Sequence, residues 1–345
     1  MRVAAVILNL LLVPGTGHLV VGRWRRGLPW ALVTLLSPLV ALSPAHPLVL
    51  IGLVIGLKLG SAIEVALLEM TWHPPPLKVL AIGGGSLVGG ILWAALVQAF
   101  VVQAFKIPSG AMIPTLQIGD HLFVSKLAYR FGEPDRGDVA VFESPCEPDK
   151  EFVKRIVGLP GDAIEVRCDV LYINGKPAPA TSLKEACSYW DRMDPSEPWR
   201  EERCTTYVET IDGRTHEMVH AESRRERDKL RKLVGGERGY HELLGDRDFP
   251  QLERIPSCPR PLPDAPAAVG RIEKAATPPE SACAPREHYR VPAGHVFVMG
   301  DNRENSSDSR SWGPVPIGNL EGKVISIWWA RDRNEVAWGR IGPLD

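Results

Sequence analysis

The chain is divided into an apolar part and a polar part, and the change falls near Phe105. Before that residue Leu, Val, Ile, Ala and Gly predominate, whereas charged residues and proline are frequent after it. An apolar run of roughly 20 residues is long enough to cross the hydrocarbon core of a bilayer. The division therefore predicts a membrane anchor of three or four helical segments over residues 1–105, followed by a polar domain.

Three apolar runs have the length of a membrane span: Leu28–Ser43, Pro47–Met70 and Val79–Phe105. A further run, Val3–Val21, is interrupted by Pro14-Gly15-Thr16-Gly17 and is interpreted as a span or a re-entrant segment. The stretch Pro14–Gly27 contains glycines and arginines. It is interpreted as a turn with cytoplasmic anchoring charges, and a partner-binding or lipid-facing element is the alternative.

Positive charge predicts the orientation of these runs. Arg23, Arg25 and Arg26 lie between the first and second runs, and Lys78 precedes the last one. Short cytoplasmic loops of membrane proteins are enriched in Lys and Arg. With both groups in the cytoplasm, the last run carries residue 106 and the polar domain to the outside.

All six cysteines lie in the polar part: Cys146, Cys168, Cys187, Cys204, Cys258 and Cys283. An even number confined to one domain is typical of disulfides in an oxidising compartment, and six buried thiols are the alternative. No Cys-x-x-Cys pair is present, so no metal site is expected. The formal net charge of −1 provides no general attraction for nucleic acid.

The polar part contains short runs rich in Val, Ile and Phe between turn residues, which is typical of strands. The predicted strands are His121–Val124, Asp138–Phe142, Phe152–Val157, Ala163–Val166, Val170–Ile173, His295–Met299 and Lys323–Trp329. They predict a mainly antiparallel β core over residues 106–175 and 287–345. The cysteine- and proline-containing residues 176–286 are interpreted as an inserted smaller subdomain, with an exposed helix at Glu222–Lys232.

Lys154 lies in the middle of a predicted strand, beside the apolar residues Val153 and Ile156. A lysine with an ordinary pKa of about 10.4 is neutral in only about one of 2,500 molecules at pH 7. Burial disfavours the ammonium form and lowers the pKa, which produces a usable base. Without further signals, an exposed strand lysine is the simpler interpretation.

Four segments, taken together and in this order, supply those further signals: Ile107–Leu116, Arg136–Phe142, Phe152–Asp162 and Gly300–Arg310. The last reads Gly-Asp-Asn-Arg-Glu-Asn-Ser-Ser-Asp-Ser-Arg. The four resemble the signature boxes of type I signal peptidases, the bacterial leader peptidases, which are serine–lysine proteases. The resemblance covers roughly residues 100–175 and 288–340.

The resemblance implies a role for each site residue. Lys154 matches the general base, Ser109 matches a serine that helps to form the oxyanion hole, and Ser306 matches the serine that orients the lysine. The residues expected to hold the structure near the site are Asp301, Asn302, Arg303, Asp308 and Arg310. The residues expected to bind substrate are Ile107, Pro108, Met112 and Phe152.

The implied function is a membrane-bound serine endopeptidase that removes signal peptides from exported preproteins. The implied location is the bacterial inner (plasma) membrane, with the catalytic domain on the periplasmic, extracytoplasmic side. Signal peptides and the lipid bilayer are the expected partners. No cofactor and no nucleic acid are expected.

Ala111 occupies the position of the family's nucleophilic serine. Its methyl group cannot attack a carbonyl, although its backbone N–H can still belong to the oxyanion hole. Loss of a serine nucleophile lowers turnover on the order of 10⁶-fold. Ser109 is the candidate for a substitute nucleophile, but its Cα would be displaced by about 6–7 Å in an extended chain.

Three explanations of Ala111 stay open at this level. The first is that the alanine is an engineered replacement of serine. The second is that it is natural and the chain is an inactive paralogue. The third is that the site uses another chemistry. An inactive paralogue would bind signal peptides or another membrane partner without cleaving them.

Overall fold

The computed structural model describes residues 2–38, 47–69, 72–192, 196, 198–221, 248–250, 254–258, 269–275, 284–332 and 335–344. The chain forms two compact units. One contains Met1–Lys106, His121–Leu127 and Ile325–Asp345, and the other contains Ile107–Asp120 and Ala128–Val324. The predicted helix Glu222–Lys232 lies outside the described residues.

Helices dominate the first unit. Those in the described residues are α1 (Arg2–Leu11), α2 (Thr16–Val20), α3 (Trp24–Leu36), α4 (Pro47–Leu67) and α5 (Pro76–Phe100). Among the described helices, only α5 is long and apolar enough to cross a membrane, with a mean hydropathy of 1.9. At 1.5 Å per residue its length is about 37 Å, enough for a bilayer core of about 30 Å.

The apolar run Val79–Phe105 is not one continuous helix. Helix α5 ends at Phe100, and Val102–Lys106 forms strand β1, which pairs antiparallel with strand β2 (His121–Ser125). The prediction of a span up to Phe105 was wrong at its C-terminal end, because tertiary pairing with β2 gives the last apolar residues an extended conformation. Hydropathy alone does not distinguish the two conformations of such a run.

The break in the first apolar run is a turn organised by Asn9. Its Oδ1 accepts hydrogen bonds from Gly15 N at 3.1 Å and Gly17 N at 2.6 Å, and its Nδ2 donates to Ser61 Oγ on α4 at 2.8 Å. A Cβ on Gly17 would lie 2.1 Å from the carbonyl oxygen of Ala5, so only glycine fits there. The run is therefore two helices, α1 and α2, around a polar contact with α4.

The first unit also contains the C-terminal part of the chain. The second half of a long strand, β15 (Leu320–Trp329), pairs with the short strand β18 (Gly342–Pro343). The Trp328 ring packs against His121 and Phe123 of β2, with ring centroids 5.2 and 5.7 Å apart.

The second unit is mainly antiparallel β structure. The neighbouring strands of its first sheet are, in order, the first half of β15, then β3 (Val139–Glu143), β4 (Glu151–Gly158), β13 (His295–Met299) and β14 (Val315–Pro316). Its second sheet follows the order β11 (Arg271–Lys274), β12 (Glu287–Arg290), β5 (Ala163–Arg167), β6 (Val170–Ile173) and β7 (Lys176–Pro177). The predicted fold class and all seven predicted strands are confirmed, with small shifts at their ends.

The two sheets pack against each other through a shared apolar core. Val157 and Phe297 of the first sheet meet Ile164, Leu171 and Tyr289 of the second, and all five side chains are fully buried. The hairpin between β6 and β7 turns at Asn174 and Gly175, whose φ values are both positive, as expected for an Asn-Gly turn.

A separate three-stranded sheet has the order β10 (Arg214–Ala221), β9 (Arg200–Ile211) and β8 (Ala180–Asp191). It lies within the predicted insertion, whose limits at residues 176 and 286 stay a prediction. Strands β8 and β9 are joined by the disulfide Cys187–Cys204, and a second disulfide joins Cys146 to Cys258. Cys168 is also disulfide-bonded, so the disulfide prediction is confirmed for the described cysteines.

Candidate active site

A 3₁₀ turn at Gly110–Met112 lies against the loop that follows β13, and Gly300 is the point of closest approach. A Cβ at position 300 would lie 2.3 Å from Ser306 Oγ and 2.5 Å from the carbonyl oxygen of Ala111. Real Cβ atoms do not approach other atoms so closely, so glycine is required at position 300. Two segments separated by about 190 residues of sequence therefore meet through their backbones.

Asn302 stabilises this contact through two hydrogen bonds. Its backbone N–H donates to the Ala111 carbonyl at 3.1 Å, and its Nδ2 donates to the Gly110 carbonyl at 3.0 Å. The side chain is completely buried, so both hydrogen bonds are shielded from water. The predicted structural residue Asn302 thus holds the backbone of position 111 directly.

Lys154 lies on β4, opposite Ala140 of β3, and is only 5% exposed. Burial lowers the pKa of its ammonium to about 8, although the carboxylates of Asp308 and Asp301 partly oppose that shift. No hydrogen bond or ion pair to Lys154 Nζ occurs among the described residues, and its neighbour is the Phe152 ring, with Nζ 5.7 Å from the ring centroid. The surroundings therefore favour the neutral amine that a general base requires.

The two serines of the predicted site occupy different environments. Ser306 Oγ is buried and has no hydrogen-bond partner of good geometry within the described part of the chain, although the hydroxyl helps to stabilise the Asp308 carboxylate. Ser109 is exposed and extended, with φ −132° and ψ 157°, immediately before the turn at Gly110. The structure contains no hydrogen bond from Ser306 to Lys154, so the orienting role stays a prediction.

The predicted substrate-binding residues differ in exposure. Ile107 and Met112 are buried, Phe152 is half-buried and Pro108 is exposed. They flank the segment that carries Ser109 and Ala111, and Phe152 is two residues before Lys154 on the same strand.

A buried ion pair connects β4 to the Gly-Asp-Asn loop. Arg155 Nε and Nη2 donate to the two carboxylate oxygens of Asp301 at 2.8 and 2.6 Å, and Thr115 Oγ1 also donates to Asp301 at 2.5 Å. Burial by itself would raise the pKa of Asp301, but the Arg155 guanidinium holds that pKa below its usual value. Arg155 follows Lys154 on the strand and takes Asp301 as its direct partner, whereas Asp301 acts on Lys154 only as a nearby charge.

A second ion pair closes the same loop on itself. Arg310 donates to both Asp308 oxygens at 2.8 Å and to the Arg303 carbonyl at 2.6 Å, and Gly300 N donates to Asp308 at 3.0 Å. Burial opposes ionisation of Asp308, yet Arg310 keeps the pKa of this carboxyl below its usual value. The predicted structural residues Asp308 and Arg310 thus shape the loop that brings Ser306 beside Gly300.

Sequence reasoning missed the partners that the three-stranded sheet provides. Glu209 of β9 pairs with Arg303 through two hydrogen bonds of 3.1 and 2.5 Å. Burial would raise the pKa of Glu209, but Arg303 and His216 lower it to about 2. Val219 N on β10 also donates to the Asp301 carbonyl at 2.9 Å. No local motif marks these residues, because they lie about 80–95 positions from the loop they contact.

Asp169, His220 and Glu304 bring three potential metal ligands within 4.8 Å of one another. The same small cavity is lined by Arg303 and Arg310. Two guanidinium groups disfavour a divalent cation by like-charge repulsion, and His220 already bonds to Glu304 at 2.6 Å. The geometry is therefore explained by an internal hydrogen-bond network.

Comparisons with known proteins show what the sequence is similar to. The family model described as signal peptidase, peptidase S26, matches residues 84–329. Signal peptidase I of Aquifex aeolicus is 31% identical over 250 residues, which cover 70% of this chain and 80% of the relative. Signal peptidase I of Buchnera aphidicola from Acyrthosiphon pisum is 28% identical over 271 residues, covering 72% and 77%.

Signal peptidase I of Pseudomonas fluorescens is 30% identical over 247 residues, and the chain spans 63% of that relative, slightly less than two thirds. A solved structure of a signal peptidase I from Enterococcus faecalis is 22% identical and covers 55% of this chain and 96% of that one, with a TM-score of 0.23.

The antiparallel sheets and the contact between turn and loop define a mainly β protein whose candidate site lies on one strand, β4, and two loops. Since the family model spans more than half of the residues, this chain belongs to the signal peptidase family, peptidase S26. The family assignment expected from the four sequence segments is confirmed.

The Arg155–Asp301 pair provides a direct test of how the site is held. We expect Arg155→Met to lower the free energy of unfolding by about 3–5 kcal/mol, because it leaves a buried carboxylate unpaired. The matched control is Arg271→Met, since Arg271 is exposed and pairs with Glu273, and we expect it to cost less than about 1 kcal/mol. Urea unfolding of the detergent-solubilised chain measures both, and equal effects would contradict the assignment.

Proposed function

We propose that this chain is built as an endopeptidase that cleaves signal peptides from preproteins, with Lys154 as general base and position 111 as the nucleophile position. The observation that carries the proposal is the environment of Lys154, a buried amine with a pKa of about 8 and, among the described residues, no acidic partner in hydrogen-bond contact. Such a group is partly neutral near pH 7, unlike an ordinary lysine. The names of the curated relatives support the same activity.

In this proposal a serine hydroxyl at position 111 transfers its proton to Lys154 Nζ while its oxygen attacks the scissile carbonyl. The oxyanion that forms accepts hydrogen bonds from the backbone N–H of residue 111 and from the Ser109 hydroxyl. The protonated lysine then returns the proton to the leaving amine, and water hydrolyses the acyl-enzyme by the reverse route. Asn302 contributes by holding the carbonyls of residues 110 and 111 in place.

With Ala111 in the chain, the first step has no attacking atom. The second candidate function is therefore binding of a signal peptide at the same site without cleavage. The observation that favours it is the combination of an alanine at position 111 with a complete supporting network of Asn302, Asp301 and Asp308.

Replacement of the alanine tests the first candidate. We expect the purified chain to leave a preprotein uncut and Ala111→Ser to cleave it, with a gain on the order of 10⁶-fold in turnover. The assay follows release of the mature protein by gel electrophoresis and mass spectrometry. Cleavage by the unchanged chain would overturn the role of position 111, whereas no cleavage by either form, with signal peptides still bound, would favour the second candidate.

The Ala111→Ser form also allows a test of the base. We expect Lys154→Met in that form to abolish cleavage, because methionine fills the buried site but accepts no proton. Lys150→Met is the matched control, since Lys150 is exposed and, in the part of the chain that the structure describes, pairs with Glu147 alone, so it should leave cleavage unchanged. Equal activity of the two variants would show that another group acts as base.

The expected dependence of cleavage on pH follows from the lowered pKa of Lys154. A base must be neutral to act, so kcat/KM of the Ala111→Ser form should rise with pH and level off above a pKa of about 8. With an ordinary lysine the rise would continue to a pH of about 10.4. A profile that levels off near the ordinary histidine pKa of about 6.5 would contradict the assignment.

We further propose that the polar region lies on the extracytoplasmic side of a bacterial plasma membrane. Helix α5, the arginines at 23, 25 and 26, and the disulfides support this orientation. In intact spheroplasts, an amine reagent that does not cross membranes should label Lys150, whereas Lys78, at the start of α5, should react only after permeabilisation. Labelling of Lys78 but not of Lys150 in intact spheroplasts would show that the polar region lies on the opposite side of the membrane.

A further inference from the structure

The three-stranded sheet β8–β10 reaches the turn at Gly110–Met112 through the C-terminal end of β8. Asp191, the last residue of that strand, lies directly on the turn. A Cβ at position 110 would be 2.7 Å from Asp191 Oδ1 and 3.2 Å from its Cγ. The carboxylate thus occupies the space above the Gly110 Cα, and any larger residue at position 110 would displace it.

The second oxygen of Asp191 binds the other half of the site. Asn305 Nδ2 donates to Asp191 Oδ2 at 2.5 Å, and Asn305 directly precedes Ser306 in the loop. One side chain therefore contacts both the turn that carries residue 111 and the loop that carries Ser306. Arg192 N donates to Oδ1 at 2.9 Å, which fixes the orientation of the carboxylate.

Tyr189, two residues earlier and on the same face of β8, supports the same contact. Its hydroxyl lies 3.4 Å from Asn302 Oδ1, and Asn302 in turn donates to the carbonyls of Gly110 and Ala111. The Tyr189 side chain is packed with Ile113, the residue that follows the turn. This end of β8 is held to β9 by the adjacent Cys187–Cys204 disulfide.

We propose that Asp191, supported by Tyr189, is a positioning residue that sets the backbone of the Gly110–Met112 turn for catalysis. The expected loss of kcat rests on the proposed function, whereas the expected loosening of the turn can be measured without it. The backbone N–H of residue 111 is the proposed oxyanion donor, so a looser turn weakens stabilisation of the transition state more than binding of the substrate.

The first experiment uses the chain as it stands, with alanine at position 111. Hydrogen–deuterium exchange followed by mass spectrometry should show faster exchange of the peptide containing residues 107–116 in Asp191→Ala. Asp191→Asn should restore slow exchange in large part, because asparagine has nearly the same shape and its single amide oxygen, turned toward Asn305, accepts that bond at the cost of the bond from Arg192 N. The matched control is Glu201→Gln on β9, which lies opposite Trp190 and therefore close to Asp191 in the sheet. Its exposed carboxylate accepts a hydrogen bond from Ser188 and makes none to the turn or the loop among the described residues.

The second experiment repeats these variants in the Ala111→Ser form. We expect Asp191→Ala to lower kcat about 10- to 100-fold with KM changed less than about threefold, since small displacements of reacting groups have effects of this size. Tyr189→Phe should lower kcat less, because its hydrogen bond is long. Asp191→Asn should recover most of the loss, and Glu201→Gln should match its parent.

The outcomes separate the two proposals. Unchanged exchange at residues 107–116 in Asp191→Ala, or a kcat equal to that of the parent, would overturn the positioning role. Faster exchange together with an inactive Ala111→Ser parent would support positioning and contradict the proposed cleavage. If Asp191→Ala does not fold, Asn305→Ala removes the same bond from the other partner; failure of both to fold would show that these residues only stabilise the chain.

Discussion

The architecture of the site depends on the direct contact between two backbones, that of the Gly110–Met112 turn and that of the loop after β13. The contact exists because Gly300 has no side chain and because the fully buried Asn302 bonds to the carbonyls of Gly110 and Ala111. Backbone groups placed in this way lose little entropy when a substrate arrives, since their positions are already determined by the fold. The side chains of Lys154 and Ser306 are arranged around that contact.

Buried charges hold the contact in place and also set the electrostatics of the base. Arg155 pairs with Asp301, and Arg310 pairs with Asp308, so each carboxylate has its own counter-charge. The same two carboxylates act on Lys154 at longer range and oppose the effect of burial, which nevertheless dominates and leaves the pKa near 8. Buried ion pairs contribute little net stability, but removing one partner is expensive, so the pairs favour a single arrangement of the loop.

Much of the fold was predictable from local patterns. Long apolar runs predicted the helices, and short runs rich in Val, Ile and Phe between turn residues predicted the strands. The exception at Val102–Lys106 is informative, because an apolar run has the same composition whether it ends a helix or begins a strand. Pairing with β2 decides between the two, and the partner strand begins 15 residues later in the sequence.

The sequence by itself determined the family, the lysine and the absence of a hydroxyl at position 111, because these depend on residue identity and on short motifs. Only the tertiary structure decided which distant side chains support the site. Glu209, Tyr189 and Asp191 lie in a region without a recognisable motif, yet each contacts the loop of residues 300–310. The physical reason is that a hydrogen bond or an ion pair depends on distance in space, and the folding of β8 and β9 onto the loop brings together residues about 100 positions apart.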